Sequence, residues 1–145
     1  MKISLKGASQ NKNAIRLCVI GTRLWMLRKL YGMDKDKSAR LSFNAILDKT
    51  NPKGIHIGEE SFVAKGAIIL THDFCRSIHS DTYIGKRCFI GVNAIIMPGV
   101  IIGDEVIVGS GAIVTKDVPS NCIVAGNPAK IIKEGIKTGK YGKIK

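Results

Sequence analysis

Two histidines could carry acid–base chemistry in this chain. His72 and His79 lie in the segment 71–82, THDFCRSIHSDT, and histidine is the side chain whose unperturbed pKa lies nearest neutral pH. A neutral imidazole can accept the proton of a hydroxyl while that hydroxyl attacks a carbonyl. The segment also holds Asp73, which could orient an imidazole, and Cys75, a thiol that could form an acyl-enzyme. Segment 71–82 is therefore the candidate catalytic segment.

Metal chemistry is not indicated. Three histidines occur in the sequence, and no pair formed by His56, His72, His79 and Asp73 has a standard ligand spacing. The four cysteines form no CxxC pair. We therefore expect no metal, and we expect His56 to be a structural surface residue.

The elements that must hold the candidate segment have a six-residue period. A branched apolar residue returns at Ile57, Val63 and Ile69, and again at Ile84, Ile90, Ile96, Ile102, Val108 and Val114. Neither an α-helix nor an ordinary strand gives this period. It predicts a short strand and a turn in each unit, with three units closing one triangular coil. The distance from Ile69 to Ile84 is not a multiple of six, so segment 71–82 is predicted to be a loop pushed out of the array.

The predicted coils cover 57–74, 84–101 and 102–119, with a partial coil before them. Residues 32–54 are polar and contain Gly, Asn and Pro, which favours a linker leading into a first irregular coil.

A more specific pattern follows the last repeat, at residues 114–133, VTKDVPSNCIVAGNPAKIIK. The repeats and this run resemble the hexapeptide-repeat acyltransferases, and most closely the galactoside, maltose and capsular-sugar O-acetyltransferases. The resemblance covers about residues 55–133. It implies an all-β protein built as a left-handed parallel β-helix of hexapeptide repeats. In this chain we expect an N-terminal α-helix and a basic C-terminal tail in addition. The period alone does not choose the handedness.

The resemblance also implies a reaction. Acetyl-CoA would be the cosubstrate, and a saccharide hydroxyl would be the acceptor, in surface polysaccharide biosynthesis. His72 matches the catalytic position, with His79 and Asp73 as the second base or as contacts to the acceptor. The positions that match CoA-contacting residues are Val92, Ser110, Thr115, Lys116, Lys130 and Lys133.

Several alternatives stay open at this point. A serine acetyltransferase or an amino-sugar N-acetyltransferase would share the coil and the CoA site. A non-catalytic β-helix scaffold would keep the repeats but would need neither the loop histidine nor the final run. Lys130 and Lys133 either contact CoA phosphates or belong to a solvated basic tail.

Positive charge is concentrated at both ends of the chain. The formal net charge is +12, and residues 1–40 and 130–145 carry it, since the middle is near neutral. This charge favours anionic partners such as phosphates or a membrane surface. Nucleic acid is disfavoured because aromatic residues make up only 6% and no nucleic-acid motif occurs.

Three parts of the chain are therefore expected. They are a basic helical segment (1–40), a catalytic β-helix (41–125) that includes the loop 71–82, and a basic tail (126–145). The core of so short a β-helix is small, which favours a homotrimer, and the resemblance implies a CoA groove between two subunits. The acceptor would be a small-molecule or a lipid-linked saccharide.

Residues 14–31 predict an amphipathic helix. Its apolar stripe is Leu17, Ile20, Leu24, Leu27 and Tyr31. Arg16, Arg23, Arg28 and Lys29 interrupt any apolar run of about 18 residues, so a membrane span is not expected. The helix either packs on protein or lies at a membrane surface. No signal peptide is evident at the start of the sequence, so we expect a cytoplasmic protein, peripheral at the inner membrane surface if the helix binds lipid.

Overall fold

The computed structural model describes residues 6–145. One α-helix, α1 (Lys6–Lys29), precedes the strands. The strands are β1 (Asp34–Lys35), β2 (Arg40–Leu41), β3 (Ile46–Leu47), β4 (Ile55–Ile57), β5 (Phe62–Val63), β6 (Ile68–Ile69), β7 (His72–Asp73), β8 (Ile78–His79), β9 (Thr82–Ile84), β10 (Phe89–Ile90), β11 (Ile95–Ile96), β12 (Ile101–Ile102), β13 (Ile107–Val108), β14 (Ile113–Val114), β15 (Cys122–Gly126) and β16 (Ala129–Glu134). Two short 3₁₀ helices cover Pro52–Gly54 and Lys140–Gly142.

Three parallel sheets form the walls of a triangular prism. Sheet A contains β1, β4, β9 and β12, and sheet C contains β3, β6, β11 and β14. Sheet B contains β2, β5, β10, β13 and β15, and β16 joins it antiparallel to β15. From β1 to β14, and apart from the β7–β8 hairpin, successive strands fall on sheets A, B and C in turn, so every three strands complete one coil. The predicted left-handed parallel β-helix is confirmed.

The six-residue period places one side chain of each strand inside the prism. Ile90, Ile96, Ile102, Val108 and Val114 are all buried, with at most 1% of their surface exposed. Neighbouring coils align these residues in ladders, as in the pairings of Ile90 with Val108 and of Ile96 with Val114. Burial of this apolar surface, at about 25 cal/mol per Å², is the main source of stability that one chain can supply.

The first coil begins earlier than predicted from the sequence. Residues 34–47 form a complete coil, so the predicted polar linker over 32–54 is wrong. Leu41 and Leu47 continue the inward period, pairing with Val63 and Ile69. The segment lacks a full hydrophobic period because β1 has no apolar residue and Lys35 stands at the position of Ile57, while β2 and β3 each have a single inward leucine.

Helix α1 lies over the open end of the prism. Leu27 and Met33 are buried and line a small apolar cavity together with Leu41 and Leu47 of the first coil. The Arg23 guanidinium donates to the carbonyl of Ala45 at 2.7 Å. The chain then turns at Gly32, whose φ of +66° favours glycine after a helix.

Only the C-terminal end of the predicted apolar stripe is packed. Leu27 is 5% exposed, whereas Leu17 is 68% exposed. Ile20 and Tyr31 are partly buried, and the side chain of Leu24 lies outside the described residues.

The C-terminal segment packs along sheet B. The backbone N–H of Thr138 donates to Glu105 Oε2 at 2.7 Å, and its hydroxyl donates to the Arg87 carbonyl at 2.7 Å. The Tyr141 ring lies edge-on to Phe62, with the centroids 6.4 Å apart. This segment therefore covers the outer face of one wall.

Candidate active site

The candidate catalytic segment forms a β-hairpin that projects from one corner of the prism. Strands β7 and β8 pair antiparallel, with His72 opposite His79. The base of the hairpin is closed where the Thr82 hydroxyl donates to the Leu70 carbonyl at 2.6 Å and the Ser80 N–H donates to the Thr71 carbonyl at 2.9 Å. The hairpin leaves the prism where β6 of sheet C ends and β9 of sheet A begins, which we call the C–A corner.

His72 is held by a carboxylate from the preceding coil. Its Nδ1 lies 2.5 Å from Oδ2 of Asp48, and the backbone N–H groups of His72 and Thr71 each donate to the same oxygen at 3.0 Å. The Thr50 N–H donates to the other oxygen, Oδ1, at 2.8 Å. Asp48 is only 6% exposed. The imidazole is therefore positioned by the regular part of the fold.

The pKa of Asp48 is held well below its ordinary value. Burial alone would raise this pKa, but the hydrogen bonds from the Thr71 amide, the His72 ring and the Thr50 amide outweigh burial. Asp48 is therefore an ionised acceptor at neutral pH.

The ionised carboxylate selects one form of the neutral His72 ring. A carboxylate can only accept a hydrogen bond, so Nδ1 must carry the proton and donate it to Asp48. Nε2 is then the unprotonated ring nitrogen and can act as a base. Since His72 is partly exposed, a substrate hydroxyl can reach it.

Neither of the other two candidate residues in the hairpin orients the His72 ring. His79 is exposed, and its ring centroid lies 6.2 Å from that of His72. Asp73 accepts a hydrogen bond from Arg76 Nε at 2.6 Å, and this contact holds the pKa of Asp73 below its ordinary value. Cys75 is exposed in the turn at the tip.

His56 links three coils. Its Nδ1 lies 3.0 Å from Asp34 Oδ2, and its Nε2 lies 3.1 Å from Asp81 Oδ2. The ring stacks on Tyr83, with the centroids 4.2 Å apart. The carboxylate of Asp81, near the end of the candidate catalytic segment, thus contacts the ring of His56. In the described range 6–145, no group of three or more His, Cys, Asp or Glu residues could hold a metal ion.

The candidate CoA residues fall on two corners of the prism. Val92 and Ser110 are exposed at the B–C corner, where the chain passes from sheet B to sheet C. Their coils are in close contact, since a Cβ added to Gly91 would lie 2.6 Å from the backbone N of Ser110. The Val92 carbonyl accepts a hydrogen bond from the Gly111 N–H at 2.8 Å.

Thr115 and Lys116 are exposed at the C–A corner, on the same corner as His72. They lie two coils from the hairpin, which corresponds to roughly 10 Å along the prism. The structure thus brings Thr115 and Lys116 to the corner of the candidate base, but places Val92 and Ser110 on the next corner.

Lys130 and Lys133 lie on β16 at the end of sheet B, and both are exposed. Lys130 pairs with Ala125. Ala125 in turn lies beside Gly109, because a Cβ added to Gly109 would be 3.0 Å from the Cβ of Ala125. Lys130 therefore continues the row of Val92 and Ser110 along the B–C corner.

Asp48 is a candidate functional residue that was not predicted from the sequence. The signal was present, because Leu41 and Leu47 are six residues apart. Extending the period backwards would have placed Asp48 directly after an inward leucine, at the position that Leu70 occupies in the next coil.

Comparisons with known proteins support the fold. A family model described as "Hexapeptide repeat of succinyl-transferase" matches residues 82–116. The protein named "Putative acetyltransferase YvoF" of Bacillus subtilis (strain 168) is 34% identical over 117 residues, which cover 78% of this chain and 67% of that protein. Galactoside O-acetyltransferase of Escherichia coli (strain K12) is 49% identical over 51 residues, 35% of this chain and 25% of the relative.

A solved structure shares the fold as well. The maltose O-acetyltransferase from Clostridium difficile 630 has a TM-score of 0.63 and 28% sequence identity, covering 79% of this chain and 75% of that one. The chain belongs to the hexapeptide-repeat acyltransferase family. It spans two thirds of YvoF but only a quarter of the galactoside enzyme.

Proposed function

We propose that this protein transfers the acetyl group of acetyl-CoA to a hydroxyl of a saccharide, with His72 as the general base. The observation that carries the proposal is the 2.5 Å contact between His72 Nδ1 and the buried carboxylate of Asp48. This contact fixes the ring and leaves Nε2 as a proton acceptor. His72 lies on a hairpin that projects from an otherwise regular prism and is accessible. A scaffold would gain no packing from this arrangement.

The proposed reaction needs no covalent enzyme intermediate. The acceptor hydroxyl loses its proton to Nε2 of His72 as its oxygen attacks the thioester carbonyl. The resulting imidazolium is stabilised by the Asp48 carboxylate. When the tetrahedral intermediate collapses, the carbon–sulfur bond breaks and His72 returns the proton to the departing CoA thiolate. The products are the acetylated acceptor and free CoA.

The cosubstrate assignment rests on the candidate CoA residues. Val92, Ser110 and Lys130 form one exposed row, and a lysine at its end suits the phosphates of CoA as a point charge. Thr115 and Lys116 supply a second set of polar groups beside the His72 corner. Acetyl-CoA therefore has potential contacts along both corners.

The saccharide acceptor is suggested by the relatives. One relative is named a galactoside O-acetyltransferase, and a similar structure is named a maltose O-acetyltransferase. Their shared chemistry is a hydroxyl acceptor, which suits a neutral histidine base. A free sugar and a lipid-linked saccharide, as in surface polysaccharide biosynthesis, are both compatible with an exposed hairpin.

We expect CoA release from acetyl-CoA to accelerate when a saccharide is added. The test measures free thiol with a panel of sugars, nucleotide sugars, amino sugars and serine, each with and without protein. A rate that rises only with serine or only with amino sugars would replace the proposed acceptor. Absence of any acceptor-dependent rate, together with absence of CoA binding by calorimetry, would favour a non-catalytic scaffold.

The functional unit is proposed to be a homotrimer. The outer face of sheet C carries an isoleucine stripe, aligned by strand pairing: Ile46, Ile68, Ile95 and Ile113. This apolar wall lies between the B–C and C–A corners. If three copies pack with sheet C toward a common axis, the C–A corner of one subunit meets the B–C corner of the next. His72 and the Val92–Ser110 row would then come together across the interface.

We expect Ile95→Glu to dissociate the trimer, because it would bury a charge between subunits at a cost of several kcal/mol. Ile101→Glu is the matched control, since Ile101 points outward from sheet A and is 50% exposed. Light scattering should give a trimer for the wild type and for the control. A monomeric wild type with full activity would contradict the shared site, and dissociation of the control alone would move the interface to sheet A.

A reducing, cytoplasmic location is part of the proposal. Cys18, Cys75, Cys88 and Cys122 are free thiols, which favours a compartment where disulfides do not persist. No helix among residues 6–145 is long and apolar enough to span a bilayer.

A further inference from the structure

Helix α1 has an apolar face that remains exposed among the described residues 6–145. Ile15, Val19, Met26 and Leu30 are 60%, 45%, 40% and 70% exposed. Their spacings return to nearly the same side of a helix with 3.6 residues per turn. Leu27, which packs against the prism, lies on another side. Met26 also borders the first coil, beside Ala45 and Ile46, so the most open part of this face is Ile15, Val19 and Leu30.

A basic groove of about 580 Å³ runs beside this face. It is lined by Gly21, Trp25, Arg28 and Lys29 of α1 and by Lys35 and Lys37 of the first coil. Trp25 is 62% exposed. The groove is open at Gly21, because a Cβ added there would have no neighbouring atom within 4 Å.

The groove brings four cations together without an acidic residue in its lining. Burial and the nearby Arg28 lower the pKa of Lys35, while Asp36 opposes them. The Lys35 ammonium donates to the Asp36 carbonyl at 2.7 Å, so it is held in place. A cluster of this kind suits a phosphate oxygen, and Trp25 suits the boundary between polar and apolar layers.

We propose that α1 and this groove bind the surface of an anionic lipid bilayer. A lipid phosphate would sit among Arg28, Lys29, Lys35 and Lys37, and the apolar face would enter the acyl boundary. Charge complementarity selects this occupant over a second copy of the chain, because a second copy would bring the same cations against these. The helix lies in the interface and does not cross it.

Two further features support a lipid surface. The sequence from residue 1 to residue 33 contains no Asp or Glu, so the patch is not neutralised from within the helix. If the chain forms the proposed trimer, cyclic symmetry places three copies of α1 at one end, where they can bind one surface together. The proposal itself does not depend on the trimer or on the transfer reaction.

Trp25 reports binding directly because it is the only tryptophan in the sequence. With the full-length chain, vesicles of phosphatidylcholine containing phosphatidylserine should shift its emission to shorter wavelength and sediment the protein. Vesicles of phosphatidylcholine alone should do neither. Arg28→Gln with Lys29→Gln should weaken partitioning roughly thirtyfold, taking about 1 kcal/mol for each charge.

Two controls match these changes. Lys143→Gln with Lys145→Gln removes the same charge from the C-terminal segment and should leave binding unchanged. Leu30→Gln should weaken binding, whereas Ile144→Gln, at a similarly exposed site of 63%, should not.

Three results would overturn the proposal. One is equal binding of both vesicle types or of both double variants. Another is an emission shift with inorganic phosphate and none with vesicles, which would indicate a site for a free phosphate compound. The third is a shift that follows protein concentration without lipid, which would indicate that a second copy covers the face.

Discussion

Replacing His72 by alanine is expected to lower the turnover number by roughly two to four powers of ten, the usual effect of losing a general base. The acceptor hydroxyl would then have no positioned proton acceptor as it attacks the thioester. Binding of CoA should stay near normal, because His72 is not among the proposed CoA contacts. Turnover and CoA affinity are measured separately for this purpose.

His79→Ala is the control for this prediction. It removes the same ring from the opposite strand of the same hairpin, where the side chain is exposed and no carboxylate is seen to orient it. Its turnover should stay within a few-fold of the wild type. An inactive His79→Ala beside an active His72→Ala would reverse the assignment, and full activity in both would exclude a histidine base from the hairpin.

Asp48→Asn is expected to lower turnover by roughly one to three powers of ten while changing the KM for acetyl-CoA little. The amide has nearly the same shape but no charge, so it stabilises the imidazolium poorly and no longer enforces a proton on Nδ1. Asp36→Asn is the matched control. Asp36 accepts hydrogen bonds from the Ser38 N–H and hydroxyl in the same coil but does not contact His72.

A purely structural role for Asp48 would give a different result, namely turnover that recovers when the variant is assayed well below its melting temperature.

Acid stability provides a second readout. The folded-state pKa of Asp48 lies below its unfolded value, so its stabilisation is present above the unfolded pKa, about 3.9, and is lost as pH falls below it. The melting temperature of Asp48→Asn should therefore fall less between pH 5 and about pH 2 than that of the wild type.

The regular part of the fold could be predicted because every inward position needs a branched or small apolar residue. The spacing from Ile84 to Val114 has no break, and the break between Ile69 and Ile84 located the hairpin. A hydrophobic period of this kind is a direct consequence of packing, so it is visible in one sequence.

The orientation of His72 could not be predicted in the same way. Asp48 lies 24 residues before His72 in the sequence, and the two meet only because consecutive coils stack. Asp73 was the candidate that sequence proximity offered, yet it pairs with Arg76. Stacking register, which depends on recognising the first coil, decides which carboxylate reaches the ring.

The arrangement of the CoA residues likewise needed the fold. Val92 and Ser110 occur one coil apart, and the period predicts that they stack. Their position on a different corner from His72 becomes clear only when each strand is assigned to sheet A, B or C. This separation supports the site between two subunits that the family resemblance implies.

The most direct test of the proposed reaction follows an isotope-labelled acetyl group from acetyl-CoA by mass spectrometry of both acceptor and intact protein. Direct transfer with His72 as base predicts label on a saccharide hydroxyl, no label on the wild-type protein at any time, and almost no labelled product with His72→Ala. Label on the protein that passes to the acceptor and is abolished by Cys75→Ala, or undiminished product from His72→Ala, would contradict it.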